Sequence, residues 1–217
     1  MREDTLYIDI RNIPVFYINL EEHTTNKSQI EEKLKSKGFT NINRVPGIRV
    51  SGYNSKAYLQ QIDHFMGVGL AQINAMRQAN QRLPALVLED DVDFSDDFNP
   101  FIQIPKNADA VYLGVSCVGN AYGYKLKAPF ENTLKIFNVL AAHAILYVNP
   151  TFVNEVIELS KNALIRDQCP FDLPLSTFIN TRNVYSPLKP YFYQSNSKQS
   201  ANKWEELTNK PLKIYGN

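Results

Sequence analysis

Six acidic residues fall within nine positions of the chain, residues 89–97, a stretch that contains no lysine or arginine. Carboxylates this close raise one another's pKa and oppose folding unless a positive group lies among them. Oxygen ligands suit Mg²⁺ or Mn²⁺, and such ions commonly keep positions open for substrate phosphates. The run therefore predicts a divalent-cation site, and a solvated acidic loop is the alternative. The six acids are Glu89, Asp90, Asp91, Asp93, Asp96 and Asp97.

Side-chain alternation along an extended chain divides these acids into two sets. Glu89, Asp91 and Asp93 are expected on one side and Asp90 on the other. Glu89 and Asp91 directly follow an apolar run and are the candidate metal ligands. The last two acids, at positions 96 and 97, are expected to cap a following helix.

The element that positions the acids is the apolar run 85–88, which predicts a strand covered on both faces. The acids then lie at the carboxyl end of a central strand, where open α/β sheets place ligands. Upstream, residues 15–20 predict a strand, 28–37 a helix capped by residues 24–26, and 41–45 a second strand. This β-α-β order favours an α/β fold with a mixed, mostly parallel sheet flanked by helices.

The rest of the chain continues the same pattern. Apolar spacing over 55–82 predicts two helices or one kinked helix, and strands are expected at 110–114 and 144–148. A helix is expected from Pro150 to about 164, and 122–136 is expected to be a loop or hairpin. We expect one domain over 1–217, with an irregular segment at 181–217 that holds six Lys/Arg against two Glu. That basic segment is interpreted as a lid over a diphosphate or as an exposed tail.

Composition limits the class of protein. The 217 residues are 44% apolar and 21% charged, enough to bury a core, so disorder is excluded as the main state. The 23 Lys/Arg against 22 Asp/Glu show no positive excess of the kind that nucleic-acid binding brings. No apolar run is long enough for a membrane span. Two cysteines are too few for a disulfide framework, so a cytoplasmic, reducing location is expected, and the oligomeric state is left open.

Several blocks of this sequence resemble the family 25 glycosyltransferases, which include lipooligosaccharide and collagen galactosyltransferases. The resemblance spans about residues 14–196, and its most specific part is the EDD block that follows the strand at 85–88. The other blocks are individually weaker. They read VFYINLEEHTTNKSQIEEKLKSKGF, INRVPGI, GVGLAQINAMRQANQRLPALVLEDDVDFSDDF, VYLG, AAHAILYVNP, PFDLPLS and VYSPLKPYFYQ.

The resemblance implies a GT-A fold, a nucleoside diphosphate sugar donor, with uridine as the expected base, and a Mn²⁺ or Mg²⁺ ion at the DxD-like Glu89-Asp90-Asp91. Asp91 would ligate the ion, and Glu89 would assist through the ribose or a metal-bound water. An inverting reaction needs a carboxylate base, for which Asp172 is the candidate, with a helix N-cap as its alternative role. His143 is expected to contact donor or acceptor, or else to be structural.

The chain departs from that family's pattern at two places. Val68, Ala71 and Gln72 stand where the family usually shows Cys and Ser-His, and residues 21–27 replace an Arg-rich turn. Asn19, Lys27 and Arg44 are nevertheless expected to reach the base or phosphates. The remaining metal ligands are expected from the diphosphate, from water, from residue 172 or from residues 195–196, and aromatics at 122–124 and 191–193 are candidate acceptor walls.

The expected partners are thus a nucleotide sugar and a glycan acceptor, and the expected activity is metal-dependent sugar transfer. Two alternatives stay open. One is another nucleotide-dependent transferase, such as a nucleotidyltransferase, although the chain shows no Lys-bearing Gly-rich loop. The other is a binding module that has the fold without the chemistry.

Overall fold

The computed structural model describes residues 4–51, 60–140, 142–167, 169–194 and 212–216. The helices in these ranges are α1 (Thr24–Ser36), α2 (Gln60–Ala79), α3 (Pro150–Asn162) and α4 (Asp172–Phe178). A π-helical turn (Ala163–Asp167) follows α3, and a 3₁₀ turn (Ile179–Thr181) follows α4. The strands are β1 (Thr5–Asp9), β2 (Val15–Asn19), β3 (Ile42–Pro46), β4 (Ala85–Glu89), β5 (Val92–Phe94), β6 (Phe101–Pro105), β7 (Ala110–Tyr112), β8 (Ser116–Lys125), β9 (Thr133–Leu140), β10 (Ala144–Tyr147), β11 (Val184–Pro187), β12 (Phe192–Gln194) and β13 (Lys213–Tyr215).

A large mixed sheet organises the chain, with the strand order β13-β8-β9-β11-β7-β10-β4-β2-β3. β2 lies between β3 and β4 and runs parallel to both. β10 runs antiparallel to both β4 and β7, while β7 and β11 are parallel. Two antiparallel ribbons, β1–β6 and β5–β12, stand outside this sheet. The predicted α/β class with a mixed sheet flanked by helices is therefore confirmed, although parallel pairs are not in the majority, since four of the eight strand pairs described in this sheet are parallel and four antiparallel.

The two faces of the sheet bury two separate cores because strand side chains alternate. Phe16 and Val87 point to the face that is covered by α2, α3 and α4. Tyr17, Leu86 and Leu88 point to the opposite face, which is covered by α1 and the β1–β6 ribbon. β4 is inaccessible to solvent over residues 85–88, so the prediction of a strand covered on both faces is confirmed.

The helix α2 runs without a break through Gly67 and Gly69, where the sequence left open two helices or a kink. Both glycines allow close packing. A Cβ on Gly67 would lie 2.2 Å from the carbonyl oxygen of Ile48, and one on Gly69 would lie 2.8 Å from a methyl carbon of Leu164. The first contact lets the backbone after β3 lie directly against α2.

Two local predictions need correction, and a third is decided between its two alternatives. The helix α1 begins at Thr24 rather than at 28, so residues 24–26 form its first turn instead of its cap. The segment 95–100, which was expected to lead into a helix, instead forms a turn and enters β6, so Asp97 caps no helix. It pairs with Lys189 at 2.8 Å instead. The segment 122–136 belongs to the β8–β9 antiparallel hairpin, one of its two predicted forms.

Candidate active site

A cleft of about 620 Å³ opens at the carboxyl ends of β2, β3 and β4. Its walls include residues 47–50 after β3, the first half of α2, the start of α1 and residues 170–172 at the start of α4. Glu89, Asp90 and Asp91 lie on one side of it, and Gln194, the last residue of β12, lies beside them. This is the edge of the sheet at which the sequence placed the acids.

All three acids line the cleft because the chain turns between β4 and β5. Residues 90 and 91 form this turn, and the backbone is not extended there. Gln194 contacts both Glu89 and Asp91, whereas Asp90 accepts from Asn19, so the partners of the three acids follow the expected division into two sets although all three line the cleft. Asp93, which was expected beside Glu89 and Asp91, instead forms an ion pair with Lys33 of α1.

Amide side chains hold Glu89 in the cleft. The Nε2 atom of Gln72, on α2, donates to Glu89 Oε1 at 3.3 Å and to the carbonyl oxygen of Ala142 at 3.4 Å. The Nε2 atom of Gln194 donates to Glu89 Oε2 at 2.9 Å. Each oxygen of the carboxyl group thus has a neutral donor, which orients the group without neutralising its charge.

Burial and the neighbouring acids raise the pKa values of two of these carboxyl groups. The pKa of Glu89 rises to about 8, first because of burial and then because of the charges of Asp91, Asp172 and Asp90. The pKa of Asp91 also rises, through burial and then through Asp90. A cation bound among these groups would remove the repulsion and return the carboxyl groups to their ionised form.

Two carboxylates of the cleft, those of Glu89 and Asp91, are the candidate ligands of a divalent cation. Within the described part of the chain, no group of three or more His, Cys, Asp or Glu side chains is arranged to enclose a metal ion. Mg²⁺ is commonly bound by one or two carboxylates together with substrate phosphates rather than by a complete protein cage. Glu89 and Asp91 supply two such carboxylates in a cleft with room for a ligand.

Two of the five predicted nucleotide-binding residues, Glu89 and Asp90, line the cleft. Asn19 is 1% exposed; its Nδ2 donates to Asp90 Oδ2 at 2.6 Å, and its Oδ1 accepts from Arg44 Nε at 3.0 Å. Asn19 and Arg44 therefore support Asp90 from behind and are not part of the described lining. Lys27 lies exposed on α1, outside the lining.

The two predicted catalytic residues lie in different surroundings. Asp172 lines the cleft at the start of α4, and its charge acts on Glu89. His143 is fully buried, and its imidazole packs against Gly114 and the Phe192 carbonyl, where a Cβ on residue 114 would lie 2.1 Å from Nε2. Burial lowers the pKa of His143 to about 4. This placement supports the structural alternative for His143 and not a contact with donor or acceptor.

Some of the residues around the cleft were not predicted, or were predicted for another reason. The sequence did not predict Gln72 and Gln194 as hydrogen-bond donors to Glu89, and their spacing along the chain does not indicate that role. Val68, Ala71 and Gln72, the positions that depart from the family 25 pattern, all line the cleft. The departures therefore fall where ligand contacts are expected.

The predicted acceptor walls lie elsewhere in the described structure. Ala121 packs in the core beneath α4, so alternation directs Tyr122 and Tyr124 to the opposite face of the sheet, away from the cleft. Tyr191 lines a second cavity. Residues 195–196 and the rest of the proposed lid up to residue 211 lie outside the described residues.

Comparison of the chain with protein-family models gives no match, and comparison with curated proteins gives no similar sequence. The resemblance to family 25 therefore rests on the sequence blocks alone. Among the described residues, no helix is both long and apolar enough to cross a bilayer.

Proposed function

We propose that the protein is a glycosyltransferase that moves a sugar from a nucleoside diphosphate donor, with uridine as the expected base, to a glycan hydroxyl in the cytoplasm. One observation carries the proposal. Glu89, Asp90, Asp91 and Asp172 surround one cleft of about 620 Å³ at the carboxyl ends of parallel strands. A site of this size and charge suits a ligand that arrives with its own cation.

In this proposal Glu89 and Asp91 hold Mn²⁺ or Mg²⁺, which stabilises the charge on the departing diphosphate. Gln72 and Gln194 keep the carboxyl group of Glu89 in position through their hydrogen bonds. Asn19 does the same for Asp90. The acids are therefore oriented before the ligand arrives, which lowers the cost of organising the site.

Asp172 is the proposed general base. The acceptor oxygen attacks the anomeric carbon, the bond from that carbon to the diphosphate oxygen breaks, and the acceptor proton passes to the Asp172 carboxylate. The nucleoside diphosphate leaves with the electron pair of the broken bond.

The apolar side chains of Ile48, Val68 and Ala71 give the other part of the cleft a surface suited to a nucleobase.

The test measures binding of UDP by calorimetry with and without Mn²⁺, and hydrolysis of a panel of UDP-sugars. We expect binding to require the metal and Asp91→Asn to weaken it by at least about tenfold, as loss of a metal ligand should. Asp96→Asn is the matched control, because Asp96 belongs to the same acidic run but lies exposed outside the cleft lining. Equal binding by wild type and Asp91→Asn would contradict the proposed metal site.

A second candidate, a nucleotide-sugar-binding module without catalysis, is favoured by the departures from the family pattern at Val68, Ala71 and Gln72, all of which line the cleft. Asp172→Asn separates the two candidates. An enzyme loses turnover in this variant and keeps metal-dependent UDP binding, whereas a binding module shows binding and no turnover in either protein. Absence of any UDP binding would contradict both.

A further inference from the structure

A second cavity of about 330 Å³ lies between β6, the residues 129–133 that lead into β9, and the residues 187–191 that lead into β12. Its inner wall includes Val111, Ile102 and Ile104, which belong to the core on the side of α1 and the β1–β6 ribbon. Among the described residues, it shares no lining residue with the acidic cleft. Its volume is at the lower end of the range for small-molecule sites.

Three amide side chains, those of Asn99, Gln103 and Asn132, line this cavity. The Oδ1 atom of Asn99 accepts from the backbone nitrogen of Phe101 at 2.9 Å, which fixes this amide at the start of β6. A carboxamide presents a donor and an acceptor side by side. This pairing matches adjacent hydroxyl groups, each of which both donates and accepts.

Apolar rings complete the cavity. The Phe101 ring is 61% exposed, and the Arg11 guanidinium lies 5.0 Å from its centroid. Phe130 and Pro129 add apolar surface on the loop before β9. A ligand that fits must therefore offer both hydroxyl groups and a face of C–H groups.

The charges in the cavity cancel. Its lining contains one acid and one base, Asp97 and Lys189, and the Lys189 Nζ atom lies 2.8 Å from Asp97 Oδ1. An anionic ligand such as a nucleotide would meet the carboxylate as well as the ammonium group, so the pair gives it no net attraction. The cavity therefore differs in kind from the acidic cleft.

We infer that this cavity is a binding site for a neutral mono- or disaccharide, separate from the acidic cleft. Amides that recognise hydroxyl pairs, the exposed ring of Phe101 with the partly buried Phe130, and balanced charge together carry the inference. It does not depend on the proposed sugar transfer, since a protein without that activity would bind the same ligand here.

The test titrates the full chain with methyl β-D-galactoside, methyl α-D-glucoside, lactose and maltose, and follows the side-chain amide resonances of Gln103 and Asn132 by NMR. We expect at least one of these sugars to shift both resonances. Gln103→Ala and Phe101→Ala should each weaken that binding by about fivefold to tenfold, the usual effect of losing one hydrogen bond or one ring contact. Glucose 6-phosphate should bind no more tightly than the neutral sugars.

The matched control is Tyr7→Ala, because Tyr7 is also 61% exposed and lies on β1 of the same ribbon, outside the cavity lining. It should leave sugar binding unchanged. Three results would overturn the inference: no shift with any of the sugars in the tens of millimolar, equal binding by Gln103→Ala and wild type, or displacement of the sugar by UDP with Mn²⁺. The last result would place the sugar in the acidic cleft. A failure of UDP binding alone leaves this inference standing.

Discussion

The acidic run divides into two regions. One is residues 89–91, at the end of β4 and in the turn that follows it, and the other is the acids from residue 93 onward. Glu89, Asp90 and Asp91 line the cleft, and amide side chains donate to Glu89 and Asp90. Asp93 and Asp97, only a few residues later, each form an ion pair with a lysine at 2.8 Å. Acidic residues of the same short run therefore have neutral amide hydrogen-bond donors in the cleft and lysine ion-pair partners outside it.

The difference shows which carboxyl groups of the run are held by neutral hydrogen-bond donors and which form ion pairs. An amide donor orients a carboxylate but leaves its charge, whereas a lysine cancels that charge. Lys33 and Lys189 form ion pairs with Asp93 and Asp97, outside the cleft lining, and the charge of Lys33 also acts on Asp91. Burial, and then the charges of the neighbouring acids, raise the pKa of Glu89, so a cation bound in the cleft would favour the ionised form of this group.

The largest expected effect is that of replacing Glu89 on the pH dependence of the free energy of unfolding. The pKa of this group is about 8 in the folded chain and near 4.5 when unfolded, so the folded state binds more protons between these values. Stability therefore falls as pH rises from about 4.5 to 8. Glu89→Gln removes this loss, so its free energy of unfolding should exceed that of wild type by up to about 5 kcal/mol at pH above 8, and by little near pH 4.

Urea unfolding of both proteins between pH 4 and pH 9 measures this difference. Asp96→Asn serves as the control, because it removes an exposed carboxylate of the same run. Its curve should run parallel to that of wild type. If the Glu89→Gln curve also runs parallel to wild type, folding does not disfavour the ionised form of Glu89 and the comparison fails.

A smaller effect is expected where an amide supports the cleft from behind. Asn19→Ala removes the donor to Asp90 and the acceptor of Arg44 Nε in a site that is 1% exposed. Loss of buried hydrogen bonds to charged groups should lower the free energy of unfolding by about 2–3 kcal/mol. Asn12→Ala is the matched control, since the Asn12 Nδ2 atom donates to Asp9 at an exposed position, at 3.2 Å. Equal losses in the two variants would count against the support role.

Some of this arrangement could be predicted from the sequence because its signals are local. The apolar run 85–88 followed by acids specifies a buried strand with charge at its end, and the structure has both features. The flanking β2, α1 and β3 were predicted for the same reason, with shifts of a few residues at their ends. The ribbon strands β1, β6 and β12 were missed, because each is short and is defined by its distant partner.

The interior of the site could not be predicted, because it depends on long-range contacts. Gln194 reaches Glu89 from 105 residues away, and Asn19 reaches Asp90 from 71. No periodicity encodes such pairs. The turn at residues 90–91 is a second cause, since it precedes Asp93, which was expected beside Glu89 and Asp91 and instead pairs with Lys33.

The smallest expected effect concerns the lysine-paired region. Lys33 and Asp93 are each about 30% exposed, so their pair should contribute only about 0.5–1 kcal/mol. A double-mutant cycle with Lys33→Met and Asp93→Asn measures this coupling in urea unfolding, and it should shrink in about 0.5 M NaCl, where exposed charges are screened. A coupling above about 2 kcal/mol that persists in salt would mean that the pair acts as a buried contact. The lysine-paired acids would then be as constrained as the amide-held ones, and the turn would no longer divide the run into two kinds of acid.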